Sequence, residues 1–216
     1  MNVLLIENLS KSFGKKKVLD DISMSLEKGE ILGLVGKSGE GKSVFVKTLI
    51  GFFKPTRGYV AIHSDSKFPI GFSMQENAIY SELTVKQNLT YFSEIYGVPK
   101  AARKHRIELL LGRLNIKEFG DILVKRLSGG TKKRVDIACA LLTDPEIIIF
   151  DEPFLGLDPG LVESLSKFIL LLKESGKTVV ISSHRIDELA KICTKLVLLR
   201  SGKFYKINKS QLKEVY

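Results

Sequence analysis

The sequence predicts an α/β fold: a mostly parallel sheet with a helical lobe inserted between its strands. Three observations predict it. ILGLVG (31–36) and EIIIFDE (146–152) are short, almost wholly apolar runs, as expected of strands buried on both faces. Together with TVVISS (178–183) they alternate with stretches of helical spacing, the order of parallel βαβ units. From Glu76 to Thr143 the alternation stops and helical periodicity runs alone.

In order, VLLIENLS (3–10) reads as a strand, and VLDDISMSLEKGE (18–30) as a better alternating one, broken near its two aspartates and closed by a Lys28-Gly29-Glu30 turn. SVFVKTLIGFF (43–53) has helical spacing, ended by Lys54-Pro55 and Arg57-Gly58. YVAIHS (59–64) and PIGFSMQ (69–75) are short strands. The inserted stretch opens with a helix from Ser81, whose apolar Val85, Leu89, Phe92 and Ile95 recur every three or four positions. KHRIELLLGRL (104–114) and TKKRVDIACALL (131–142) continue it. KFILLLKES (167–175) and RIDELAKIC (185–193) are helices on either side of the 178–183 strand, and residues 196–207 form a hairpin around Ser201-Gly202.

At 216 residues the chain fits one domain with an inserted lobe, and 44% hydrophobic content supports a packed core. Its apolar runs fall far short of the roughly 20 residues that span a bilayer, and Met1 is followed by VLLI and Glu7 with no basic leader. A protein inside the cell is expected, meeting a membrane only through a partner. Cys139 and Cys193 lie in amphipathic segments and read as small core residues in a reducing compartment. The net charge of +10 is spread over scattered lysines, with short clusters at Lys15–Lys17 and Lys132–Arg134 that no stacking aromatics interleave. That pattern argues against nucleic acid and for a solvated basic surface, one that could face anionic lipid.

GKSGEGKS (36–43) fits the phosphate-loop pattern G-x-x-x-x-G-K-[ST], between an apolar strand and an amphipathic helix. Gly36, Gly39 and Gly41 let the backbone curl so that its N–H groups face an anion, and the helix N-terminus adds positive potential. Lys42 is expected on the β- and γ-phosphates and the Ser43 hydroxyl on Mg²⁺. Lys37, Ser38, Glu40 and Val44 complete the expected contacts. Asp151 and Glu152 end a buried strand, where two unpaired carboxylates would be costly. Asp151 suits the Mg²⁺ shell, and Glu152 suits polarising an attacking water. His184 ends the strand expected to lie beside theirs, which would bring its imidazole to the γ-phosphate. His63 and His105 have no such context. Ser128 is a good N-cap for the helix carrying Val135, Ala138 and Leu142, and Gly129 and Gly130 leave that helix end bare, as an anion site or a simple capped helix.

Along its whole length the chain resembles the ATP-binding subunits of ABC transporters. LSGG at 127–130 resembles their signature, and GKSGEGKS their phosphate loop. Gln75 falls in their glutamine loop, IIIFDEP (147–153) on their acidic strand, GLD (156–158) on their aspartate loop and SSH (182–184) on their histidine switch. The resemblance implies a P-loop NTPase core, residues 1–75 and 146–216, with an N-terminal antiparallel β subdomain and a helical subdomain inserted over 76–145. It implies Phe13 stacked on adenine, Gln75 among the ATP and metal contacts, and two ATP molecules sandwiched in a homo- or heterodimer. There Ser128, Gly129, Gly130 and Asp158 of one copy would face the phosphate loop of the other. It implies, finally, a separate transmembrane permease and a peripheral place on the cytoplasmic face of the membrane. Residues 82–98 and GLDP (156–159) resemble the exporter branch, for drugs, lipids or polysaccharides. Thr131 and Cys139 depart from the family's usual Gln and Arg, and Val44 from its usual Thr. The chain ends soon after the hairpin, so no regulatory domain is expected. The competing readings are a soluble ATPase of the same family acting on DNA or ribosomes, and a non-catalytic ATP sensor. The first would ordinarily carry tandem cassettes or long coiled coils. The second would have no use for Glu152 and His184.

Overall fold

A computed structural model describes residues 2–208. Its larger sheet joins β5 (Ile70–Ser73), β6 (Ile147–Asp151), β7 (Thr178–Ser182), β3 (Ile31–Val35), β8 (Lys195–Arg200) and β9 (Lys203–Lys206), in that spatial order. The first five run parallel and β9 turns back antiparallel. Every residue of β3, β6 and β7 is buried, which is why their sequences show no alternation. Successive residues serve two cores. Ile31, Val35, Ile148, Phe150, Val179 and Ile181 pack on the side of the helical lobe. Leu32, Leu34, Ile147, Ile149 and Val180 pack on the side of the second sheet.

That second sheet is antiparallel, with order β2 (Lys16–Glu27), β1 (Asn2–Phe13), β4 (Arg57–Ile62). β1 and β2 form a long hairpin that turns at Gly14 and Lys15, with Gly14 at φ 56°. The expected break at the aspartates is a bulge inside β2. Asp21 adopts φ 55° and Asn8, on the facing strand, φ 48°, and the Asn8 side-chain amide donates to Asp21 at 3.0 Å. The strand therefore continues through it.

The helices are α1 (Lys42–Leu49), α2 (Val85–Ile95), α3 (Lys100–Arg113), α4 (Gly129–Ala140), α5 (Pro159–Glu174) and α6 (Ile186–Ile192). Several boundaries differ from the sequence expectation, α3 for instance starting at Lys100 and not Lys104, and three of them have a local reason. α1 stops at Leu49 because Gly51, at φ 78°, takes the left-handed conformation that closes helices, well before Pro55. α2 starts after Thr84, not at Ser81: Thr84 and Gln87 form a reciprocal capping box. α5 starts eight residues before Lys167, because Asp158 accepts from Leu161 N at 2.9 Å and Pro159 opens the first turn. The closing hairpin turns at Ser201 and Gly202, as read.

Candidate functional site

The carboxyl ends of β3, β6 and β7 open on one cleft of about 630 Å³, lined by Phe13, Lys16, Val18, Ser38, Gly39, Gly41, Lys42, Ser43, Val44, Gln75, Glu152, Leu155 and His184. This is where parallel sheets present ligand sites. Most of the residues singled out from sequence thus meet at one place. Gly36, Lys37, Glu40 and Asp151 stand beside or behind the lining.

The loop after β3 is shaped by its glycines. Gly39 and Gly41 take φ 83° and 105°, and Gly41 is the N-cap of α1 without any side-chain cap. The first amides of α1 are therefore left for an anion. A Cβ on Gly41 would lie 2.8 Å from Val18 Cγ1, so β2 walls the loop closely. Lys42 is buried, and its Nζ donates to the carbonyls of Gly36 (2.6 Å) and Lys37 (3.2 Å), with one N–H left to give. Glu40 points away, its carboxylate accepting from Ser201 N at 2.7 Å and tying the loop to the β8–β9 turn.

β6 and β7 pair with Asp151 opposite Ser182. Asp151 is buried and accepts a hydrogen bond from the Ser182 hydroxyl. A regular strand would send the next carboxylate to the opposite face. Instead Glu152 adopts φ 50°, its N–H donating to Ser182 O at 3.0 Å. Such a conformation costs a non-glycine residue about 1 kcal/mol or more. It brings the Glu152 carboxylate within 2.9 Å of His184 Nδ1, the distance at which the ring N–H donates. Glu152 is nearly buried while the His184 ring is about half exposed, so the pair faces the cleft from an ordered base.

Ser43, Gln75 and Asp151 offer hydroxyl, amide and carboxylate oxygens, the donor types that suit Mg²⁺. Among the described residues no three or more His, Cys, Asp or Glu gather as a cage. Such a sparse set fits an ion whose remaining ligands are phosphate oxygens and water. Phe13, at the cleft mouth, is 42% exposed, packs edge-on against Phe53 at 5.2 Å and has the Lys11 ammonium over its ring at 4.9 Å, so a planar base would stack on the ring surface those two leave.

Ser128, Gly129, Gly130 and Asp158 do not line this cleft. Ser128 caps α4, accepting from Thr131 N at 3.2 Å. The two glycines differ. A Cβ on Gly130 would lie 2.5 Å from Leu161 Cδ1, whereas one on Gly129 would meet nothing within 4 Å. Gly130 is therefore explained by packing on the start of α5, and Gly129 by nothing among the described residues. Asp158 sits at the same place, capping α5.

Sequence reading missed Lys16, Val18 and Leu155 in the lining, since neither hairpin position nor loop path shows in local spacing. It also left Asp136 unexplained. Asp136 and Lys133 are buried in α4, their charged groups 3.8 Å apart. Burial pushes the Lys133 ammonium below its ordinary value and the Asp136 carboxyl above its own, each partly offset by neighbours of opposite charge or by hydrogen bonds. Their spacing of three in a helix otherwise buried on nearly every side was the available signal.

Comparison with known proteins agrees with the geometry. The ABC transporter family model matches residues 19–155. The lipopolysaccharide export system ATP-binding protein of Haemophilus influenzae is 33% identical, over 100% of this chain and 97% of its own. The probable sulfate/thiosulfate import ATP-binding protein of Chlorella vulgaris is 33% identical, over 96% of this chain and 92% of its own. A solved ATP-binding subunit of an ABC transporter superposes with a TM-score of 0.87 at 28% identity, covering 98% of this chain and 92% of that one.

Proposed function

This chain belongs to the ABC transporter ATP-binding family, and from that premise we propose that it is an ATP-hydrolysing motor subunit that powers transport, in the export direction, through a separate membrane-spanning permease. One observation carries the catalytic part: the Lys42 loop, Gln75 and the Glu152–His184 pair line a single cleft.

Lys42 and the free amides of α1 would bind the phosphates, and Phe13 would stack on the base. Ser43, Gln75 and Asp151 would hold Mg²⁺, which neutralises charge on the phosphates when bound. Glu152 would orient and deprotonate the attacking water, with His184 holding the carboxylate in place and facing the γ-phosphate. The bare end of α4, with Ser128 and Gly129, would cover the nucleotide of a second copy, and Asp158 would lie beside it. This supports a dimer closing on two ATP molecules. Residues 76–145, built of α2, α3 and α4, would pass that motion to the permease. Export rests on the resemblance of residues 82–98 to exporters. A relative named for sulfate/thiosulfate import is 33% identical too, so overall identity does not set the direction.

Glu152→Gln tests it. The variant should release phosphate at least 100-fold more slowly, within the usual worth of a general base, and should elute as a dimer when ATP and Mg²⁺ are present. Hydrolysis near the wild-type rate would remove Glu152 from the mechanism. Absence of any ATP-dependent dimer would remove the sandwich.

A further inference from the structure

The segment that carries Gln75 is fastened to α4 at three points. Lys133 Nζ donates to the Met74 carbonyl. Asp136 Oδ2 accepts from Ser73 Oγ at 2.6 Å, and its Oδ1 accepts from Ala78 N at 2.9 Å. Ser73, Lys133 and Asp136 are all buried. The fastenings fall on residues 73, 74 and 78, before and after Gln75, so its loop has little independent travel.

A buried ion pair is a costly way to attach a helix, since desolvation offsets much of its attraction and an apolar pair would hold as well. What it adds is fixed geometry: both oxygens of Asp136 and the Lys133 ammonium are directed at particular backbone and hydroxyl groups of one loop. The pair is also aligned with the bare end of α4. Gly129, Lys133 and Asp136 stand at i, i+4 and i+7, a single face of the helix, with the pair about 6 and 10 Å along the axis from the glycine.

We propose that Lys133 and Asp136 are positioning residues that hold Gln75 at the nucleotide cleft and lock it to the glycine end of α4, so that a nucleotide docking there from a second copy shifts Gln75 in this chain's own site. The pair thereby links the two ATP sites of a dimer. This rests on the reading of Gln75 and Gly129 given above.

The experiment uses the full chain, with phosphate release followed against ATP and against Mg²⁺, and affinity for a fluorescent ATP analogue followed in EDTA. Gln75→Ala is made first. It should lower kcat and raise the Mg²⁺ needed for half-maximal rate, and a wild-type profile would overturn the Gln75 reading itself and the linkage with it. Lys133→Met and Asp136→Asn should then reproduce that pattern, with kcat down about 10–100-fold as expected of a displaced catalytic group. Analogue affinity in EDTA, which depends on the Lys42 loop, should stay within about twofold, as expected of a distant, independent contact. Cooperativity in ATP should be lost. In a Gln75→Ala background, Lys133→Met should cost less than about twofold more, because the two act through one group. Ser73→Ala removes one fastening without opening the ion pair. It should show the same pattern in weaker form, and keeps the test valid if Lys133→Met does not fold. Folded variants with wild-type kcat and Mg²⁺ dependence, or an equal loss with and without Gln75, would overturn the proposal while leaving the ATPase reading intact.

Discussion

Substituting alanine at two adjacent glycines should affect stability differently, and the difference isolates what the α4 end is for. Gly129 is the first residue of α4, and a Cβ there would touch nothing within 4 Å. Its φ is not in the left-handed region, so no backbone strain opposes a side chain. Glycine is up to about 1 kcal/mol worse than alanine in a helix, less at a first turn. Gly129→Ala should therefore leave the single chain as stable as before or raise Tm by up to about 4 °C for a domain of this size. At Gly130 the new Cβ would lie 2.5 Å from Leu161 Cδ1 and 3.2 Å from Leu157 Cδ2. Overpacking of that kind costs about 1–3 kcal/mol, and Tm should fall by several degrees. Activity should not follow stability. If the bare end of α4 receives the γ-phosphate of a second copy, a methyl group at Gly129 obstructs the amides that would meet it. Losing one such donor costs about 100-fold or more in rate. Calorimetry on both variants, with phosphate release and ATP-dependent dimerisation, checks this. A Gly129→Ala protein with unchanged Tm and wild-type turnover would refute the reasoning, because the glycine would then have neither a structural nor a functional reason.

Three other outcomes follow from single contacts. Lys42→Ala removes the buried ammonium held by the Gly36 and Lys37 carbonyls. It should weaken ATP binding about 10- to 150-fold, the worth of a charged hydrogen bond, by titration with a fluorescent analogue. Gly71→Ala would set a Cβ 2.2 Å from the Ala140 carbonyl, where β5 meets the end of α4. Backbone cannot yield as a side-chain tip can, so the loss should reach about 3 kcal/mol or more, read as a fall in denaturant midpoint. The Cys139 thiol is held well above its ordinary value of 9.0, first by burial and then by Asp136. A raised value keeps the thiol protonated at pH 8, so iodoacetamide should label Cys139 only after unfolding, by mass spectrometry of native and denatured samples.

The core of the fold was legible because its strands are buried on both faces and its phosphate loop is contiguous in sequence. ILGLV and IIIFD read as strands buried on both faces, and the expected pairing of β6 with β7 places His184 against Glu152. Helix ends were less legible where an apolar run outlasts the helix. Phe52 and Phe53 continue the spacing of α1, but Gly51 has already ended it. The local rule that decides is one residue in the left-handed conformation, and periodicity is blind to it. Residues acting across the fold were the least legible. Lys133 reads in sequence as part of a surface basic cluster and Asp136 carries no signal, and only the proximity of α4 to the 73–78 segment shows that both are buried and committed. Gly129 is a further case, since no reason for it lies among the described residues. Ser128 explains the cap and Leu161 explains Gly130. A glycine that the described contacts leave unexplained is what the proposed dimer, with this helix end covered by a second copy, would account for. The free helix end and the open Lys42 cleft both present hydrogen-bond donors, so an anion between them would join the two copies of the proposed dimer.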